Sequence, residues 1–120
     1  MYKRQNLAYN LAERKTNLDE AMQFAEIAKQ KRPEDPVVLD TLGWVYYLLG
    51  HHAIAIPHLA KSVDRMPDNP LFHYHLGKAY HKNEQPEMAR ASLEKVLTLD
   101  PSFKEADDIR NILESYRSLG

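Results

Sequence analysis

The chain has 120 residues, 43% hydrophobic and 28% charged, with 16 basic and 17 acidic residues and a net charge of −1. That length fits one domain, and the even charge balance argues against nucleic acid or an anionic membrane as the main partner, since both recruit a basic excess. The lack of cysteine excludes disulfides, thiolate chemistry and cysteine zinc sites, and no apolar run approaches the roughly 18 residues of a membrane span, so direct membrane insertion is not expected.

In chain order, apolar periodicity and the breakers between the periodic stretches predict helices at about 3–14, 18–31, 36–49, 52–65, 70–83, 86–99 and 102–117. The first two carry Leu7-Ala8-x-x-Leu11 and Ala21-x-x-x-Ala25, with a turn expected around Lys15-Thr16-Asn17. The third has an apolar stripe of Leu42, Tyr46 and Leu49 and ends at Gly50, a residue suited to closing a helix. The fourth offers Ile56, Leu59 and Val63. The fifth repeats the stripe with Leu76 and Tyr80 and turns at Asn83-Glu84, and the sixth carries Arg90, Leu93 and Leu97. Pro33, Pro67 and Pro101 fall after alternate helices, while Pro36 and Pro70 stand near helix starts, where proline is tolerated. In the seventh, Phe103, Ala106, Ile109, Ile112 (or Leu113) and Tyr116 make one apolar stripe on an otherwise polar segment, the pattern of a capping helix.

Two stretches align without gaps at an offset of 34 residues: Leu39-x-x-Leu42-Gly43-x-x-Tyr46, Ala55-x-x-x-Leu59, Pro67 with His73-x-x-Leu76-Gly77-x-x-Tyr80, Ala89-x-x-x-Leu93, Pro101. This pattern resembles the tetratricopeptide repeat, with leucine or histidine at its first aromatic position and leucine at its later one. The opening stretch, ending at Pro33, is a degenerate third copy. The resemblance implies an all-α, right-handed solenoid in a single domain over 1–120, with repeats at about 2–35, 36–69 and 70–101 and a capping helix at about 102–117. Glycine in a helix interior costs up to about 1 kcal/mol, so Gly43 and Gly77 are expected where a second helix approaches closely, with Ala55 and Ala89 the matching small residues. The open N-terminal side suggests the C-terminal part of a longer array. The wording of the repeats is similar to the last repeats of long bacterial proteins of this family, some of them envelope lipoproteins. The cytoplasm and the bacterial envelope both stay open as compartments.

In the family, the first helix of each repeat lines a concave binding face. Carried over, the resemblance nominates Tyr9, Asp40, Trp44, Tyr47, Tyr74, Lys78 and His81 as partner-binding residues. The face is rich in rings and holds the single tryptophan, and aromatic side chains dominate binding hot spots. Asp40 and Lys78 are expected to meet a ligand, each other or solvent. Some members clamp a peptide carboxylate with two Lys, an Arg and two Asn. The corresponding positions here are Gln5, Tyr9, Thr41, Leu71 and His75, so that ligand class is not expected. The six histidines have no i, i+3 or i+4 pair within a helix, which leaves them as surface residues rather than metal ligands. No nucleophile elbow or phosphate loop occurs. The expectation is a scaffold without catalysis, cofactor or metal, gripping a peptide or partner helix. The alternative is an assembly module that stacks through its N-terminal end, in a longer array or a homo-oligomer.

Overall fold

The computed structural model describes the backbone of residues 7–119 and the side chains of 17–118. Six helices follow one another: α1 (Leu7–Lys31), α2 (Pro36–Leu48), α3 (His52–Arg65), α4 (Pro70–Lys82), α5 (Pro86–Leu99) and α6 (Ala106–Leu119). Each packs mainly on its neighbours in sequence, the arrangement of an all-α solenoid of stacked antiparallel pairs. The radius of gyration, 15.5 Å, exceeds the about 13.6 Å of a compact domain this long, as an open ribbon should.

The two clear hairpins, α2/α3 and α4/α5, are built by the same local chemistry. Asp35 caps α2, its Oδ1 accepting from the backbone N–H groups of Val37 (2.9 Å) and Val38 (3.4 Å), and Pro36 follows in the first turn. Asn69 does the same for α4 through the N–H of Phe72 (3.2 Å), followed by Pro70. At the far end the Gly50 N–H donates to Tyr47 and the His51 N–H to Tyr46, both at 2.9 Å. One repeat later the Glu84 N–H donates to His81 (3.1 Å) and the Gln85 N–H to Tyr80 (2.9 Å). This paired closure needs a left-handed residue. Gly50 supplies it at φ 91°, and Glu84 is forced into it at φ 59°. α3 continues through Pro57, which is exposed, so the carbonyl that loses its partner can bond water.

Inside each hairpin the helix glycine makes room for a leucine. A Cβ on Gly43 would stand 2.7 Å from Leu59 Cγ, and one on Gly77 would stand 2.6 Å from Leu93 Cδ2. Both leucines are fully buried. The close approach expected of the glycines is present, but Leu59 and Leu93 press hardest, more than Ala55 and Ala89 do.

The first hairpin departs from expectation. Residues 7–31 form one continuous helix, with no turn at Lys15-Thr16-Asn17. The reason is local. Lys15, Thr16 and Asn17 all fit a helix, and no glycine or proline occurs between Leu7 and Lys31 to stop it. The C-terminal half of α1 packs on α2 as the second helix of a repeat would. At the other end α6 starts at Ala106, later than expected, because residues 101–105 turn around Asp100. The Asp100 carboxylate accepts from the Ser102 N–H (3.2 Å) and hydroxyl (3.1 Å). Ile109, Ile112 and Tyr116 then join the core that contains Leu93 and Val96.

Candidate functional site

The face expected to bind a partner is carried by α2 and α4 and continues onto α6. Its centre is a stack of three rings. The Trp44 indole lies 4.4 Å from the Tyr47 ring at 9° and 3.9 Å from the His75 imidazole at 19°. Trp44 and Tyr47 are half-buried, so the stack is neither core nor free surface. His75 is held from behind: its Nδ1–H donates to both Asp40 oxygens, at 2.8 and 3.0 Å. Asp40 and His75 are only 6% and 8% exposed, so the carboxylate is committed to this contact and is not open to a ligand. Asp40 therefore pairs with His75, not with Lys78 or solvent. The separation of 35 residues marks it as a bond between successive repeats.

One repeat further on, the same junction is made with other residues. The Tyr74 hydroxyl donates to Asp108 on α6 at 2.8 Å, and Lys78 Nζ donates to the same oxygen at 2.9 Å while lying 5.8 Å above the Tyr74 ring. Tyr74 is buried and packs against Phe103, so it too supports the face from beneath. Burial, together with the bond to Asp108, pushes the Tyr74 phenol well above its ordinary range. Burial tends to raise Asp108 as well, but the bonds from Lys78 and Tyr74 outweigh it and hold the carboxyl below its ordinary range. His81 Nδ1 meets the Tyr116 hydroxyl on α6. Burial and then the charges of Lys78 and Lys82 lower the His81 imidazole, against the opposing pull of Asp108. Burial, and after it the Asp108 charge, raises the Tyr47 phenol.

Of the seven nominated residues, the structure thus gathers Trp44, Tyr47, Lys78 and His81 on one partly exposed face and sets Asp40 and Tyr74 beneath it. The side chain of Tyr9 lies outside the described residues. Three residues of the face were not nominated: His75, Asp108 and Tyr116. Asp108 stands 34 positions after Tyr74, so carrying the repeat register into the last helix would have found it. The expectation of surface histidines fails for His75 and for His73, which is 8% exposed with Nε2 2.7 Å from the Pro67 carbonyl. Both lie where α4 meets the preceding repeat, and each is buried with a polar partner as burial requires. Among the described residues no group of three or more histidine or acidic side chains is placed to hold a metal ion. None of the described helices is long and apolar enough to cross a membrane.

A second concavity lies at the other end. Ala21, Phe24, Ala25, Val37, Val38 and Thr41 line an apolar groove of about 380 Å³ between α1 and α2. Phe24 is 72% exposed there and Val37 57%.

A model of the tetratricopeptide repeat matches residues 70–103, the α4/α5 pair and its following turn. A TPR repeat-containing protein of Pseudomonas aeruginosa is 38% identical over 72 residues, which is 60% of this chain; the match spans only 12% of that protein's length. The fold is similar to the first TPR domain of RPAP3 (Spaghetti) solved with the HSP90 peptide SRMEEVD. The TM-score is 0.77 at 22% identity, covering 90% of this chain and 86% of that one. It is also similar to the Yersinia enterocolitica type III secretion chaperone SycD solved with a peptide of the translocator YopD. That TM-score is 0.76 at 19% identity, covering 92% and 87%. The 34-residue spacing, the sequence matches and the stacked helix pairs agree: residues 70–103 match a tetratricopeptide repeat, and the chain has the fold of solved tetratricopeptide-repeat domains.

Proposed function

We propose that the chain is a protein-interaction scaffold that takes an extended peptide or a partner helix across the face of Trp44, Tyr47, Lys78 and His81, with no catalytic step. The observation that carries this reading is the ring stack: the half-buried Trp44 and Tyr47 rings at stacking distance, with Trp44 laid on a buried His75 that a buried carboxylate fixes. A pre-ordered aromatic surface gives up little conformational entropy on binding, which is what hot-spot residues require. Peptides bound to the RPAP3 domain and to SycD support the ligand class. A carboxylate clamp is not part of the reading. At the described clamp positions stand Thr41, Leu71 and a His75 already bonded to Asp40.

Trp44 is the only tryptophan, so its fluorescence reports directly on the face. Peptides selected from a random displayed library against the native chain are expected to shift that emission. They are expected to lose at least about tenfold in affinity for Trp44→Ala, as hot-spot truncations do, while circular dichroism shows the helices intact. Binding that survives Trp44→Ala, or loss of helix in that variant, overturns the proposal.

A further inference from the structure

His75 carries a polar atom that the fold does not use. The residue is 8% exposed, and both of its bonds to Asp40 are made by one ring nitrogen, Nδ1. In a neutral imidazole the protonated nitrogen donates and the other accepts. A carboxylate can only accept, so Asp40 keeps the proton on Nδ1 and leaves the lone pair on Nε2. Among the described residues Nε2 has no hydrogen-bond partner, yet no buried side-chain nitrogen or oxygen is left without one. Nε2 therefore reaches solvent, through the small part of the ring that stays open. An almost buried acceptor, aimed by a second buried group, is half of a hydrogen bond waiting for a donor.

The neighbouring indole narrows what can supply that donor. Tyr47 and His75 both lie nearly parallel to Trp44, with centroids 4.4 and 3.9 Å away. Two rings that close would overlap if they shared one face of the indole, so they take opposite faces. Trp44 thus has no face left for a ligand cation or a ligand ring and presents only its edge. Its indole N–H also has no partner among the described residues and, by the same reasoning, opens to solvent.

We infer that, on the peptide-binding reading above, the occupant of this face is an extended peptide segment that donates a backbone N–H to His75 Nε2, and not a partner helix. Interior N–H groups of a helix are already bonded to carbonyls four residues back, whereas an extended backbone keeps its N–H and C=O groups free for a binding surface. The carbonyl of such a segment can accept from the Trp44 indole N–H. A ligand carboxylate is disfavoured at Nε2, because it would set one acceptor against another. Asp40 is a positioning residue: it does not meet the ligand, but it decides which nitrogen of His75 does.

The test uses peptides selected from the displayed library against the native chain. Each backbone amide of such a peptide is replaced in turn by an ester, which removes one N–H. One position is expected to lose about tenfold in affinity, as an acceptor left unpaired should. In the Asp40→Leu/His75→Phe double variant, which keeps a ring against Trp44 and strands no buried charge, the amide and ester forms should bind alike. A ligand-free measurement stands beside these: nitrogen-15 correlation spectra of the native chain at mildly alkaline pH should show His75 protonated at Nδ1 alone. A proton on Nε2 overturns the inference. So does an ester scan without a sensitive position while Trp44→Ala still abolishes binding, or a peptide that gains helical circular dichroism as it binds; both leave the interaction face standing. Selected peptides indifferent to Trp44→Ala remove the face itself, and this ligand with it.

Discussion

The two ends of the solenoid are finished differently. At the C-terminal end α6 lays Ile109, Ile112 and Tyr116 over Leu93 and Val96, and its polar side faces water. At the N-terminal end Phe24 and Val37, beside Ala21, stay exposed among the described residues. The difference arises in a few residues. The turn that closes each complete hairpin needs a left-handed residue, supplied by Gly50 and Glu84; the corresponding segment Lys15-Thr16-Asn17 continues the helix instead. Repeat identity lies in the packing residues, whereas hairpin closure lies in the turn, and the first repeat keeps the packing small residues without the closing turn.

The largest effect that separates the ends is expected from truncating their apolar residues. Ile109→Ala should cost about 2–4 kcal/mol, since Ile109 is fully buried on the inner side of α6. Phe24→Ser should leave the monomer within about 0.5 kcal/mol, as surface changes do. Denaturant titration of helical signal at low protein concentration measures both, and equal losses would erase the contrast. A smaller effect should come from the turn next to the closed end. Glu84→Gly relieves the left-handed strain and should stabilise by about 0.5–1 kcal/mol, read as a higher thermal midpoint. No gain would show that the α4/α5 turn is not under strain.

The smallest effect concerns pH. The folded-state pKa of Asp108 is depressed, so its contribution is present above the ordinary carboxylate range and is lost as pH falls through the folded value. Its carboxylate is 41% exposed, so solvent screening keeps this contribution small. Hydrogen exchange in α6 should quicken more on acidification in the native chain than in Asp108→Asn. Parallel profiles would mean that the bonds from Tyr74 and Lys78 do not help fasten α6.

Much of the fold was legible in the sequence because its determinants are local or strictly periodic. Pro36 and Pro70 mark helix starts, Gly50 marks a stop, and the spacing from Gly43 to Gly77 sets the repeat. The continuous α1 was not legible, since the repeat pattern argued for a turn where the residues themselves do not make one. On the candidate face, the ring-bearing positions followed from helix register. Which polar groups are consumed by inter-repeat bonds did not, because Asp40 and His75, or Tyr74 and Asp108, meet only when one hairpin is laid on the next.

The junction from Tyr74 to Asp108 spans 34 positions, the length of one repeat, and links α4 to the helix that ends the stack. Whatever hairpin stood in place of α6 would meet the same tyrosine and lysine at the same height. A duplicate of residues 70–103 spliced in after residue 103 would bring a copy of Tyr74 to the position of Asp108, so it is expected to dock once that copy is changed to aspartate. The stack is extensible by whole modules, and the requirement for joining is a single carboxylate.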